Sequence, residues 1–141
     1  MLTGIDPALS GAVLAGLDAM GHSDAVVLAD AHFPAARLAH DWVDLPLVST
    51  PRLLRAIARV VPLDDAPALD LMASLEGDLL PVQEQILAAA GITAADASFL
   101  DRYEFYHRAA QAALVIRTGE TRIYGNVLLR KGVVDASEWT A

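Results

Sequence analysis

The chain has 141 residues, enough for one domain with a sizeable core. Its net charge of −8 and isoelectric point near 4.7 argue against nucleic acid or an anionic membrane as the main partner, and the absence of cysteine excludes disulfides, zinc–thiolate sites and thiol nucleophiles. Hydrophobic residues make up 55% and the mean hydropathy is +0.40, yet no run approaches the roughly 18 apolar residues of a membrane span, so the excess apolar surface predicts burial between subunits of a homo-oligomer. The opening Met-Leu-Thr-Gly-Ile-Asp-Pro has no basic region leading into an apolar one. The expectation is therefore a chain without a secretory signal, in the cytoplasm.

In chain order, Asp6-Pro7 reads as a helix start, because Asp accepts from free backbone N–H groups and Pro suits the first helical position. Leu9, Val13, Leu17 and Met20 recur at helical spacing until Gly21. Ala25 to Ala29 is a short apolar run and predicts a buried strand. Pro34 to His40 allows a short helix, and Thr50-Pro51 opens a clearer one. Leu53, Leu54, Ile57, Val60 and Val61 fall on one side of that helix, and Arg52, Arg55 and Arg59 on the other. A solvated helix face accounts for the arginine stripe.

Residues 62–68, rich in Pro and Asp, read as a loop. Leu69 to Ser74 is a second strand candidate, followed by a turn at Glu76-Gly77-Asp78. Val82 to Ala90 predicts a helix ended by Gly91, and Tyr103 to Ala112 another. Leu114 to Arg117 and Ile123 to Leu129 read as strands joined in a hairpin by Thr118-Gly119-Glu120-Thr121. Helices alternating with strands, and an antiparallel final pair, predict an α/β domain with a mixed sheet.

Ionisable side chains bracket the first strand: His22 and Asp24 before it, Asp30 and His32 after it. Acids and imidazoles beside a buried strand need partners, so their presence points to a small active site at a strand end. Tyr106-His107-Arg108 and Tyr124-Gly125-Asn126 are further clusters. Each alone is equally well a cap, a turn or a bulge. Together they offer imidazole, carboxylate, guanidinium, phenol and amide, a set suited to a neutral polyhydroxylated ligand. No phosphate-cradling glycine loop or nucleophile elbow is present. A metal held by His22, Asp30 and His32 is conceivable. The intervening strand weighs against it, because eight extended residues at about 3.3 Å each would put the two ends over 20 Å apart.

Met20-Gly21-His22-Ser23-Asp24, Ala29-Asp30-Ala31-His32-Phe33-Pro34, Phe105-Tyr106 with Arg108-Ala109, and Tyr124-Gly125-Asn126-Val127-Leu128-Leu129-Arg130-Lys131-Gly132-Val133 resemble, in order and spacing, the L-fucose mutarotase family, relatives of the D-ribose pyranases. The resemblance runs from Leu2 to about Val134 and leaves residues 135–141 as a frayed tail of a single sugar mutarotase-like domain. It implies a three-layer α/β/α sandwich with a mixed, mostly parallel sheet, assembled into rings that are commonly decamers. The implied activity is exchange of sugar anomers without metal or organic cofactor, with L-fucose as the monosaccharide partner. The alternatives are a D-ribose pyranase or other monosaccharide mutarotase, a non-catalytic sugar-binding or regulatory protein on the same scaffold, and a metal-dependent isomerase acting on the open-chain sugar.

By the same resemblance His22 is an acid/base residue, while Asp30, Arg108 and Tyr124-Gly125-Asn126 bind the sugar. His107 departs from the family's pattern, where an acid is expected; it is either an outward-facing substitution or a change at the pocket rim. Ring opening needs a proton taken from the anomeric hydroxyl and one given to the ring oxygen, so His22 and Tyr124 are read as the catalytic pair. Asn126 is expected to fix a further hydroxyl, and His32 to support the site from its edge or to act in catalysis directly.

Overall fold

The computed structural model describes residues 1–65 and 67–139. The apolar run forms strand β1 (Ala25–Ala29), buried along nearly its whole length. It lies inside a sheet that contains every strand of the described chain: β2 (Trp42–Leu45), β3 (Leu69–Met72), β4 (Ala97–Leu100), β5 (Leu114–Thr118) and β6 (Val127–Arg130), in the order β2-β5-β1-β6-β3-β4. Strand β1 pairs parallel with β5, β5 with β2, and β3 with β4. Only β6 runs against its neighbours β1 and β3. The sheet is thus mixed and mostly parallel.

Alternation along the strands separates two cores. Val26, Leu28, Leu114, Ile116, Leu69, Leu71, Val127 and Leu129 face helices α1 (Gly11–Ala19), α3 (Thr50–Ile57) and α4 (Pro81–Ala90). Val27, Ala29, Val115, Met72 and Leu128 face α2 (Ala35–Leu38) and α5 (Arg102–Gln111), through Phe33, Ala35, Phe105 and Ala109. Helices on both faces of one sheet give the three-layer α/β/α sandwich.

Several local expectations need correction. Helix α1 starts at Gly11 rather than at Asp6-Pro7, because Ser10 supplies the cap, its hydroxyl accepting from the Val13 N–H at 3.4 Å. The Asp6 carboxylate is instead committed to a turn with the Ala8 N–H (2.9 Å) and to the Arg52 guanidinium (2.8 Å). The expected hairpin does not form. Its two strands, β5 and β6, are separated by β1, and the stretch from Gly119 to Asn126 crosses over the end of β1 between them. Strands β2 and β4 escape the sequence reading because they are the short edges of the sheet, half-exposed and without a continuous apolar run.

Two polar contacts fix the ends of strands near the crossover. Thr118 Oγ1 donates to the Ala29 carbonyl at 2.8 Å, tying β5 to the end of β1. Gln83, fully buried on α4, donates to the Met72 carbonyl at 2.7 Å and accepts from the Leu80 N–H at 3.1 Å, tying α4 to the end of β3. At Gly119 a methyl group would sit 2.0 Å from the Pro46 carbonyl oxygen, a backbone atom that cannot step aside. Gly119→Ala should therefore cost on the order of 1–3 kcal/mol or more, lowering the melting temperature. Gly11→Ala, which meets nothing within 4 Å at the start of α1, should leave it unchanged or raise it slightly. Thermal unfolding of both variants checks the contrast.

Candidate active site

The C-terminal ends of the parallel strands are where ligand crevices open in α/β sheets, and at the end of β1 the chain turns sharply. Asp30 is buried there at 4% exposure. Its Oδ1 accepts from the His32 N–H at 2.9 Å and its Oδ2 from the Asn126 amide at 2.9 Å. Asn126 Oδ1 in return accepts from the Asp30 N–H at 2.8 Å. Burial pushes the Asp30 carboxyl above its usual range, while the hydrogen bonds from His32 and Asn126 pull the other way.

These residues line a hollow of about 240 Å³ with Phe33, Met72, Arg102, Tyr106, Ile123 and Tyr124. Arg102 and Tyr106 lie four residues apart on α5 and so share a face. Phe33 meets the Tyr106 ring edge-on, centroids 5.3 Å apart, which fixes the phenol's position. His32 Nε2 lies 3.3 Å from the Thr121 carbonyl, an acceptor only, so Nε2 carries the proton and Nδ1 is free. The lining thus combines the polar side chains of Asp30, Asn126, His32 and Arg102 with the apolar ones of Phe33, Met72 and Ile123. A larger hollow of about 450 Å³ under the N-terminal segment is mainly aliphatic, and its one ionisable side chain, Asp6, is taken by Arg52.

Tyr124 has φ of 61° and Ser23 has φ of 67°; among the described residues these are the non-glycine positions in the left-handed region. Such a conformation costs about 1–2 kcal/mol per residue and persists only where the surroundings impose it.

Of the residues expected from sequence, Asp30, His32, Tyr124 and Asn126 meet in this pocket, and Gly125 lies buried between the last two. His22 does not join them within the chain. It sits in the turn before β1, at the far end of a strand about 16 Å long at 3.3 Å per residue. His22, Asp30 and His32 therefore do not form one metal-binding cluster in this chain. The His22 imidazole, 60% exposed, contacts Asp64 Oδ1 through Nε2 at 3.2 Å. A carboxylate only accepts, so Nε2 is the donor and Nδ1 is the ring nitrogen not engaged by Asp64. The Ser23 hydroxyl (2.8 Å), the Asp65 N–H and His22, in that order, hold the Asp64 carboxyl below its usual range. Lys131 braces the same turn by donating to the Leu17 and Met20 carbonyls at 2.8 and 2.7 Å.

Arg108 also lies outside the pocket. It is six residues, about 9 Å, along α5 from Arg102, and its guanidinium is spent on Glu104 (2.9 Å) and Asp70 (3.0 Å). Asp70 is fully buried and shared with Arg130 through the same Oδ2, while its Oδ1 has no partner. The arginine in the pocket is Arg102, which the sequence reading passes over. Asp64 is missed as well, hidden in a stretch read as loop. Tyr106 is singled out in sequence without a site role. His107 is exposed, as an outward-facing substitution would be.

Beyond this chain, an L-fucose mutarotase of Histophilus somni (strain 129Pt) is 44% identical over 142 residues, covering 94% of this chain and 97% of its own. The fold matches the fucose mutarotase from Streptococcus pneumoniae, solved in complex with L-fucose, with a TM-score of 0.85 and 35% identity over 95% of this chain and 100% of that one. Bacillus subtilis RbsD, solved with D-ribose, matches with a TM-score of 0.78 at 22% identity over 96% and 100% of the two chains, a likeness of fold. The sequence profile of the RbsD / FucU transport protein family spans residues 3–134, and the chain belongs to that family.

Proposed function

We propose that this chain interconverts the α and β anomers of L-fucose by opening and reclosing the hemiacetal ring, with side chains alone as acid and base. The observation that carries this reading is the convergence of Asp30, Asn126, Arg102, Tyr106 and Tyr124, drawn from separate segments, on one hollow of about 240 Å³. That is below the range of drug-sized sites and on the scale of a single sugar ring. The names of the Histophilus somni and Streptococcus pneumoniae relatives support the substrate. So do the apolar residues in the lining: Phe33, Met72 and Ile123 suit the methyl carbon that fucose carries and ribose lacks.

In the reaction a base takes the proton of the anomeric hydroxyl as an acid protonates the ring oxygen. The bond between C1 and the ring oxygen breaks to give the aldehyde, which rotates and closes on its other face with the roles reversed. Tyr124 is one partner. Asp30 and Asn126 hold sugar hydroxyls, Arg102 takes the place given to Arg108 in sequence, and His32 supports the rim. The second partner is His22, with Asp64 fixing its Nε2 and leaving Nδ1 to exchange the proton. Because His22 stands at the opposite end of β1 from Asp30, it serves the pocket of a neighbouring copy in a homo-oligomer, a ring such as a decamer. Exposed Leu47 (97%), Leu75 (90%) and Ile123 (65%) supply apolar surface for such contacts. The cytoplasm, where free sugar is metabolised, belongs to the same proposal.

Saturation-transfer NMR of α- and β-L-fucose tests the activity. Wild type should accelerate exchange, and Tyr124→Phe or His22→Ala should slow it by on the order of 10²- to 10⁴-fold while the exposed His22 position leaves the fold intact. Full activity in His22→Ala would refute its role. Asp30→Asn should also abolish exchange, since in either orientation its NH2 group would face a donor, the Asn126 amide or the His32 N–H. Co-expression of His22→Ala with Tyr124→Phe offers a test of the shared site. Mixed oligomers should regain exchange that neither variant shows alone, and no recovery would place the whole site within one chain.

A further inference from the structure

Resting on the mutarotase reading, we infer that Glu120 and Arg122 are positioning residues whose ion pair holds Tyr124 in its strained, pocket-facing conformation. Neither lines the pocket. Glu120 is buried at 4% exposure in the crossover between β5 and β6. Arg122 clasps it from within the same loop: Nε to Oε1 at 2.8 Å, Nη2 to Oε2 at 2.8 Å, and the backbone N–H to Oε1 at 3.1 Å. The remaining guanidinium nitrogen donates to Gln85 Oε1 on α4 at 3.0 Å. The loop is thereby closed on itself and anchored to a helix of the opposite layer.

The next link is Gly125. A methyl there would lie 2.7 Å from Glu120 Cγ and 3.0 Å from the Arg122 carbonyl, so the backbone that follows Tyr124 rests directly on this pair. The two ends of the crossover are held independently. The Glu120 carbonyl accepts from the Ala31 N–H at 2.8 Å, and Asn126 is locked to Asp30. Between those anchors the clasp is what opposes relaxation of the left-handed Tyr124, φ 61°, into an ordinary conformation. The Arg122 guanidinium keeps the Glu120 carboxyl below its usual range, in keeping with a charged pair at neutral pH.

A loosened clasp releases the segment carrying Tyr124 and leaves Asp30, Asn126 and Arg102 in place. Arg122→Ala should therefore lower kcat for anomer exchange by about tenfold to a hundredfold, the scale of an ångström-sized misplacement, with KM for L-fucose within about twofold. Arg122 is partly exposed, so its removal leaves a gap open to solvent. Free guanidinium added at millimolar concentration should restore kcat in that variant, whereas ammonium should not. Arg122→Lys should fall between, since an ammonium cannot fork to both carboxylate oxygens. Crystal structures of Arg122→Ala, with and without guanidinium, should show φ of Tyr124 leaving and regaining the left-handed region. Wild-type kcat in Arg122→Ala, or an unchanged Tyr124 conformation, would overturn the inference. So would a loss shared equally by kcat and KM that guanidinium fails to repair, which marks a merely structural role. A wild-type chain that does not accelerate exchange would instead sink the mutarotase reading, and the Tyr124 conformation would still judge the clasp.

Discussion

The reciprocal hydrogen bonds between Asp30 and Asn126 join the end of β1 to the start of β6, and the rest of the site depends on them. Each residue uses both a donor and an acceptor on the other, so neither can move without breaking two contacts in a buried place. A buried carboxylate without partners would be untenable. With the Asn126 amide and the His32 N–H on its two oxygens, Asp30 keeps its position and still has lone pairs to offer. The cost shows in its raised pKa. Unpaired buried charge is what the surrounding turn is organised to avoid.

The mixed sheet is what makes that junction possible. In an all-parallel sheet only loops that follow strands reach the ligand edge. Here β6 runs against β1 and β3, so the segment preceding it arrives at the edge that β1 and β3 leave. Tyr124 and Asn126, just before a strand, thus meet Asp30 and Met72, at the ends of two others, and the N-terminal turn of α5 adds Arg102. A hairpin between β5 and β6, as the sequence suggests, would have put the crossover elsewhere and left Asp30 without its partner.

Much of this was legible in the residues, for identifiable reasons. The buried strand β1 and the helices α3, α4 and α5 carry strong local signals: an apolar run, a proline at the start of α3 and of α4, and Gly91 in the left-handed region with φ of 71°. The edge strands β2 and β4 carry none, because half-exposed edges neither concentrate apolar residues nor need turn signals. Within the site, residues adjacent in sequence to the strand ends were found, and residues that arrive by tertiary contact were not. Arg102 and Arg108 look alike in sequence; only the rise along α5 and the burial of Asp70 separate the one at the pocket from the one locked in an ion pair. Asp64, 42 residues from His22, carries no local mark of its partnership.

The distribution of backbone strain links the two turns to which the proposed mechanism assigns acid and base. The non-glycine residues in the left-handed region, among those described, are Ser23 and Tyr124. One follows His22 and donates to the Asp64 that holds it; the other lines the pocket itself. Each strained residue sits in a turn over-determined by polar contacts: Lys131, Asp24 and Asp64 around the first, and Glu120, Arg122 and Asn126 around the second. Strain of this kind survives where a side chain must be offered in a direction that relaxed backbone would not give it. Strand β1 separates the two neighbourhoods, one before its start and one at its end. An imidazole and a phenol at opposite ends of one strand are the geometry that the proposed sharing of His22 between neighbouring copies requires.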